Sequence, residues 1–191
     1  MSLSPRFESA LTYAARLHAG QTRKGTATPY LAHLLAVTGI VLENNGDEDE
    51  AIAALLHDAV EDQGGAATRE EIRRRYGDRV AEIVDGCTDT DSVPKPPWRA
   101  RKEAYIAHLA SASPSVRLVS AADKLHNARS ILMDYREQGE ALWGRFTGGR
   151  EGTLWYYRTL VEKLHPLGPS RIVQELERVV REIERLAVQK S

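Results

Sequence analysis

Cysteine is nearly absent from this chain. A single one, Cys87, stands among 191 residues, which excludes an internal disulfide and any zinc knot built on several thiolates. Long apolar runs are missing too. The longest, Ala51-Ile-Ala-Ala-Leu-Leu56, has six residues, against the ~20 that a helix needs to cross a bilayer. No excess of charge exists in either direction: 26 Lys+Arg face 27 Asp+Glu, a formal net charge of −1. A protein whose main work is wrapping duplex DNA is usually basic, so no nucleic-acid partner is expected. The first residues, Met1-Ser-Leu-Ser-Pro-Arg6, lack a basic segment followed by an apolar stretch, so no signal peptide is expected. Period-2 alternation of β-branched residues is nowhere sustained, which argues against a sheet. Internal repeats and low-complexity tracts are also lacking. What remains is 42% apolar and 28% charged. A chain of this size buries roughly 70% of its unfolded surface, and one cytoplasmic domain over residues 1–191 is expected.

The pattern reads as helices joined by short loops. Ser4-Pro5 gives a cap and a first-turn proline, followed by Phe7, Ala10, Leu11, Ala14 and His18 at helical spacing. A basic loop, Gln21 to Thr28, leads to a helix from about Pro29 with Tyr30, His33, Leu34, Val37 and Val41 on one face. Asp47-Glu-Asp-Glu50 is a capping box for the apolar segment Ala51 to Val60, which should be central. Thr68-Arg-Glu-Glu71 reads as a second capping box, for a helix that stops at Gly77. An amphipathic segment holds Val80, Ile83, Val84 and Cys87. A loop with three prolines covers Asp89 to Pro97. Helices are expected over 98–112, 114–136, 150–164 and 170–189, with an irregular glycine-rich stretch from Glu137 to Gly149. The expectation is an all-α bundle of about 8–10 helices. In the last helix, Ile172, Val173, Leu176, Val179, Val180, Ile183 and Leu186 form an apolar stripe. It packs either on its own domain or, in a homo-oligomer, on a second copy.

His57-Asp58-Ala-Val-Glu61-Asp62 ends the most apolar segment. Charged groups are rarely placed there without partners, and several acids so close together favour a cation. The ordinary alternative is a helix end with solvated acids and a capping histidine. His33 lies on the apolar face of its helix, where a satisfied core histidine is the commoner outcome. Asp123 shares a helix face with Val116, Val119 and Asn127, and aspartate within a helix needs a reason to be there. His33, His57, Asp58 and Asp123 thus offer two imidazoles and two carboxylates from three helices. That donor set suits manganese, iron or zinc better than magnesium or calcium.

The order H…HD…D resembles the HD-domain metal-dependent phosphohydrolases. Arg23-Lys24-Gly-Thr-Ala-Thr-Pro-Tyr-Leu-Ala-His33, His57-Asp-Ala-Val-Glu-Asp62 and Ala122-Asp-Lys-Leu-His-Asn127 are similar to the hydrolase domain of RelA/SpoT-type enzymes. The resemblance covers about residues 5–165, with 170–191 as a C-terminal helix. It implies a stand-alone small alarmone hydrolase that removes the 3′-pyrophosphate of (p)ppGpp or (p)ppApp. It implies one divalent ion, manganese in most relatives, on His33, His57, Asp58 and Asp123, which acidifies water toward a pKa near ~7. Glu61 and Asp62 would position or deprotonate that water; plain helix-surface acids are the alternative. Arg23 and Lys24 would meet the anionic nucleotide, as would Asn127, for which a helix-internal hydrogen bond is the alternative. Tyr157 matches a residue near ribose and base, with core packing as its alternative. Lys95, Arg99, Arg101 and Lys102 form a second basic cluster, from which Lys95, Arg101 and Lys102 are substrate candidates and a solvated helix face is the other reading. His18, His108 and His165 belong to no motif, and His126 is not counted as a ligand. Competing functions are hydrolysis of a nucleoside monophosphate or of the NADPH 2′-phosphate, and a non-catalytic nucleotide-binding module.

Overall fold

The computed structural model describes residues 2–90, 94–168 and 170–189. Residues 91–93 of the expected proline loop, Pro169 and the last two residues of the expected 170–191 segment lie outside the described residues. Among the described residues there are ten α-helices, two short 3-10 segments and no strand. The all-α expectation holds. The structure divides into two compact units, one of residues 1–95 and 112–122, the other of residues 96–111 and 123–191.

In the first unit, helix α1 (Pro5–Leu17) starts where Ser4 Oγ accepts from the Arg6 N–H at 3.2 Å. Helix α2 (Tyr30–Glu43) ends before Asn45, whose φ of 62° takes the chain out of the helix. Helix α3 (Glu48–Leu56) carries both halves of its capping box: the Glu50 N–H donates to Asp47 Oδ1 at 3.0 Å and the Asp47 N–H to Glu50 Oε2 at 2.8 Å. Every residue from Ala51 to Leu56 is buried, and α3 packs against α1, α2 and helix α6 (Asp78–Cys87). Fully burying a leucine or isoleucine contributes roughly 1.5–3 kcal/mol, so α3 centres this unit.

Two local expectations are corrected. The apolar segment does not continue to Val60 as one helix. It breaks at His57-Asp58 and resumes as the single turn α4 (Ala59–Asp62). Both residues keep right-handed backbone, and the Asp62 N–H still donates to the Asp58 carbonyl at 2.9 Å. Glu61 and Asp62 therefore remain about one turn beyond His57 and Asp58. Helix α5 (Gly65–Tyr76) begins three residues before Thr68. Gly64 and Gly65, at φ 129° and 57°, make the turn, and Thr68 Oγ1 donates to the Gln63 carbonyl at 2.7 Å instead of capping a helix start. The stop at Gly77, φ 90°, is as expected.

The second unit contains α7 (Trp98–Ser111), the later part of α8 (Pro114–Gln138), α9 (Gly149–Leu164) and α10 (Arg171–Gln189). The stretch expected to be irregular holds a 3-10 segment, Gly139–Arg145. Its Trp143 is buried with its ring 5.3 Å from that of Tyr135, and Tyr135 donates to Glu140 at 2.5 Å. The glycines around it have a packing reason: a Cβ on Gly148 would sit 2.7 Å from the Trp98 ring, and one on Gly152 3.1 Å from it. All the stripe residues of α10 except Leu186 are buried, and α10 packs on α9. Arg129–Glu175 and Arg136–Glu182, each at 3.3 Å, and Arg158–Glu184 at 2.6 Å tie its polar flanks down. The face that sequence left available for a second copy is filled by the chain's own unit. Among the described residues no helix is long and apolar enough to cross a membrane.

Candidate metal centre and active site

The basic loop is closed on itself. Thr22 and Pro29 form an isolated antiparallel bridge, the Arg23 N–H donates to the Thr28 carbonyl at 2.8 Å, and the Tyr30 N–H to the Gln21 carbonyl at 2.9 Å. Gly25, at φ 75°, supplies the left-handed residue that the tip requires. Arg23 and Lys24 are presented on this loop, with the Arg23 guanidinium 5.9 Å from the centroid of the Tyr30 ring. Tyr30 opens α2, and one turn later comes His33, which is buried.

The imidazoles of His33 and His57 meet edge to face, ring centroids 5.2 Å apart. Each Nε2 faces the same oxygen, Asp58 Oδ2, at 3.7 Å from His33 and 2.9 Å from His57. The Tyr30 hydroxyl donates to that oxygen at 2.5 Å. His57 donates its Nδ1–H to the Ala54 carbonyl at 2.8 Å, which leaves a lone pair on Nε2. A lone-pair nitrogen 2.9 Å from a carboxylate oxygen sets acceptor against acceptor, and a proton or a cation between them relieves the contact. One ligand atom from each of His33, His57 and Asp58 lies within 4.8 Å of the others. Two imidazoles, at least one with its far nitrogen tied to a carbonyl, and an oriented carboxylate fit a divalent ion.

The two following acids have partners of their own. Lys95 Nζ lies 2.7 Å from Glu61 Oε1, so this lysine, expected on substrate, is bound to a candidate catalytic acid. Gln21 Nε2 donates to Asp62 Oδ2 at 2.8 Å. Asp62 is exposed by surface area, yet enough protein crowds its carboxyl for desolvation to raise its pKa. The Gln21 hydrogen bond opposes this rise, and the negative charges of Asp58 and Glu61 add to it. A raised carboxyl pKa suits a proton acceptor working near neutrality.

The remaining expected residues belong to the second unit. Asp123 is buried within α8. Lys124 Nζ lies 2.5 Å from its Oδ2, and Asn127 Nδ2 donates to its Oδ1 at 2.5 Å, the helix-internal bond anticipated for Asn127. Burial works to lower the Lys124 pKa, but the charge of Asp123 and the Tyr105 and Tyr156 phenols outweigh it, so the ammonium stands well above the ordinary lysine range. Arg101 donates to the Pro96 carbonyl at 3.1 Å, and Lys102 lies 5.1 Å from the Tyr156 ring centroid. Arg99 stacks on Trp155 at 3.2 Å. Tyr157 is buried edge-on to Tyr156, centroids 5.4 Å apart.

Sequence reasoning missed three participants in the first unit. Tyr30 stood on a helix face and inside the Arg23-to-His33 motif without a role of its own, and Gln21 stood only in a basic loop. His18, assigned to no motif, is buried and stacks on Tyr30 at 5.3 Å. The available signal was a histidine and a glutamine three apart, immediately ahead of Arg23-Lys24.

The fold and this centre define a class. The chain belongs to the HD-domain family, whose model, described as HD domain, matches residues 10–154. Over 125 residues, 64% of this chain and 67% of the relative, it is 40% identical to the guanosine-3′,5′-bis(diphosphate) 3′-pyrophosphohydrolase MESH1 of Xenopus tropicalis. It is 38% identical over 174 residues to the GTP pyrophosphokinase of Streptomyces coelicolor; this match takes in 90% of the chain but spans only 19% of that relative. A solved structure described as a metazoan ortholog of SpoT that hydrolyzes ppGpp matches with a TM-score of 0.79 at 28% identity, covering 95% of this chain and 97% of that one.

Proposed function

We propose that this protein is a metal-dependent 3′-pyrophosphohydrolase of alarmone nucleotides, (p)ppGpp or (p)ppApp. Water adds to the phosphorus attached to the ribose 3′ oxygen, that bond breaks, and pyrophosphate leaves. The observation that carries the reading is the convergence of His33 and His57 on one Asp58 oxygen, with Glu61 and Asp62 about one turn further on. The substrate class rests on the likeness to relatives named for ppGpp hydrolysis. The pyrophosphokinase name belongs to a protein of which this chain spans about a fifth.

His33, His57 and Asp58 would hold the ion, with Asp123 proposed as a further ligand on its sequence motif alone. We favour manganese, with iron or zinc as alternatives of the same N/O chemistry. When bound, such an ion acidifies water and offsets charge that develops on the phosphoryl oxygens. Tyr30 orients Asp58 through its hydroxyl. Glu61 and Asp62 hold the attacking water and take its proton. Arg23 and Lys24 bind the anionic nucleotide, arginine by stacking on the base or pairing with phosphate and lysine by charge. Asn127, Tyr157, Lys95, Arg101 and Lys102 remain further substrate candidates. Residues 1–191 are proposed to act as one hydrolase domain, in the cytoplasm, where a nucleotide substrate and a single cysteine are at home.

The test is pyrophosphate release from ppGpp and ppApp by metal-stripped protein, with and without added manganese. Release only with the ion is expected. Glu61→Gln and Asp62→Asn should lower turnover by about 10²- to 10⁴-fold while metal content and melting temperature hold. Full activity in strong chelator overturns the metal assignment. Near-wild-type turnover in both variants overturns the acid assignment. Metal-dependent phosphate release from a nucleoside monophosphate or NADPH, with none from either alarmone, overturns the substrate.

A further inference from the structure

Three side chains, two of them outside the motif, converge on one amide. Gln21 Oε1 receives the His18 Nδ1–H at 2.6 Å and an N–H of Gln63 at 2.7 Å, while Gln21 Nε2 donates to Asp62 Oδ2 at 2.8 Å. A glutamine amide has two ends of nearly equal size, and hydrogen bonding alone decides which way it points. Here two donors meet at one end and a carboxylate, which accepts, stands at the other. Those partners leave one orientation, with the NH₂ group toward Asp62. The same bond sets the His18 tautomer, because an Nδ1 that donates leaves the proton off Nε2 of the neutral ring. His18 Nε2 is buried and has no hydrogen-bond partner among the described residues. A buried orphan nitrogen is a cost that native structures seldom carry without a reason. The reason available here is what the other ring nitrogen does.

We propose that Gln21 is a positioning residue, which aims the Asp62 carboxylate at the attacking water, and that His18 together with Gln63 fixes the Gln21 amide for that purpose. This rests on the assignment of Asp62 as a water-activating acid. Asp62 is exposed and sits at the end of a single helical turn, so its side chain gets little restraint from its own helix. The bond from Gln21 crosses 41 residues of sequence to supply that restraint. Misplacing a reacting group by about an ångström lowers rate by about 10²-fold without affecting how the rest of the substrate is held. The signature is therefore a loss in kcat with KM retained.

The test compares kcat and KM for ppGpp, with metal content and melting temperature, in manganese-loaded full-length protein. The variants are Gln21→Ala, Gln21→Glu, Asp62→Asn, the Gln21→Ala/Asp62→Asn double variant, His18→Ala and His18→Asn. Gln21→Ala is expected to lower kcat by about 10- to 100-fold with KM and metal content unchanged. Gln21→Glu keeps the shape and both incoming hydrogen bonds but turns a second carboxylate on Asp62. It is expected to lose as much, which keeps the test decisive if Gln21→Ala folds poorly. In the double variant, Gln21→Ala should add nothing to the loss from Asp62→Asn, because both act through one carboxylate. His18→Asn, whose amide nitrogen can stand in for Nδ1, should recover most of what His18→Ala loses. Multiplicative losses in the double variant, or wild-type kcat in Gln21→Glu, overturn the positioning role while the assignment of Asp62 stands. Wild-type kcat in Asp62→Asn overturns that assignment and this role with it.

Discussion

Tyr30→Phe removes one oxygen and tests whether the tyrosine holds a metal ligand. The phenol donates to Asp58 Oδ2 at 2.5 Å, the oxygen that both imidazoles face. Phenylalanine keeps the ring, and so the stacking on His18 and the edge contact with His33, both at 5.3 Å. A hydrogen bond to a charged group contributes about 1.5–3 kcal/mol. The Asp58 side chain is 23% exposed, so water replaces part of that bond in the metal-free protein, and the lower end applies. At about 1.4 kcal/mol per decade, the manganese Kd should rise about 10-fold, within the ~10–100-fold usual for partners of metal-ligating groups. Competition against a chelating dye measures it. Two accompanying results are expected: kcat at saturating manganese close to wild type, and a metal-free melting temperature that barely moves. A Kd equal to wild type, or a tighter one, refutes the claim that Tyr30 orients a ligand.

The loop makes a separate prediction: wild-type affinity for the anionic substrate should fall as salt rises, and Arg23→Ala with Lys24→Ala should raise KM by a factor that shrinks with added salt, because salt already screens the contact that the substitutions remove, while metal stoichiometry stays intact; an unchanged KM would make the loop structural only. Gly148→Ala places a Cβ 2.7 Å from the Trp98 ring, and overpacking of this kind destabilises by about 1–3 kcal/mol, measurable as a lower midpoint in urea. Helix α10 should be acid-sensitive. Hydrogen bonds from Arg185 and Arg136 lower the Glu182 pKa to about 2, and arginine or histidine partners also lower Glu175 and Glu177. A depressed carboxyl pKa means stabilisation that is complete above the unfolded value, about 4.5, and lost as pH falls toward about 2. Hydrogen exchange in α10 should therefore accelerate across that window, and exchange that stays flat would show that the pairs contribute nothing.

Much of the fold is legible in the sequence because its signals are local. Ser4-Pro5 and the Asp47–Glu50 box close their hydrogen bonds within three residues, so helix starts follow from neighbours in the chain. Gly77 stops a helix through its own backbone freedom. The same locality made Thr68 misleading: its hydroxyl had a carbonyl at Gln63 to bond, and nothing in the Thr-x-x-Glu spacing reveals that. The candidate ligands His33, His57 and Asp58 are also legible, because ionisable groups on apolar faces are visible as exceptions to the pattern.

What sequence could not supply is the set of partners brought in by packing. Tyr30 reaches Asp58 across 28 residues and Gln21 reaches Asp62 across 41; these bonds exist only because α2, α3 and the loop before α2 are packed together. Lys95 looked like a free cation for phosphate until the tertiary structure set it on Glu61. The α10 stripe specified an apolar face but not its occupant, and folding gave that face to the chain's own second unit. Residue type and spacing thus determined the helices and three of the candidate ligands. Only the packing decided which hydrogen bonds orient those ligands and the acids beside them, since a hydrogen bond depends on distance and direction in space and leaves no periodicity in the chain.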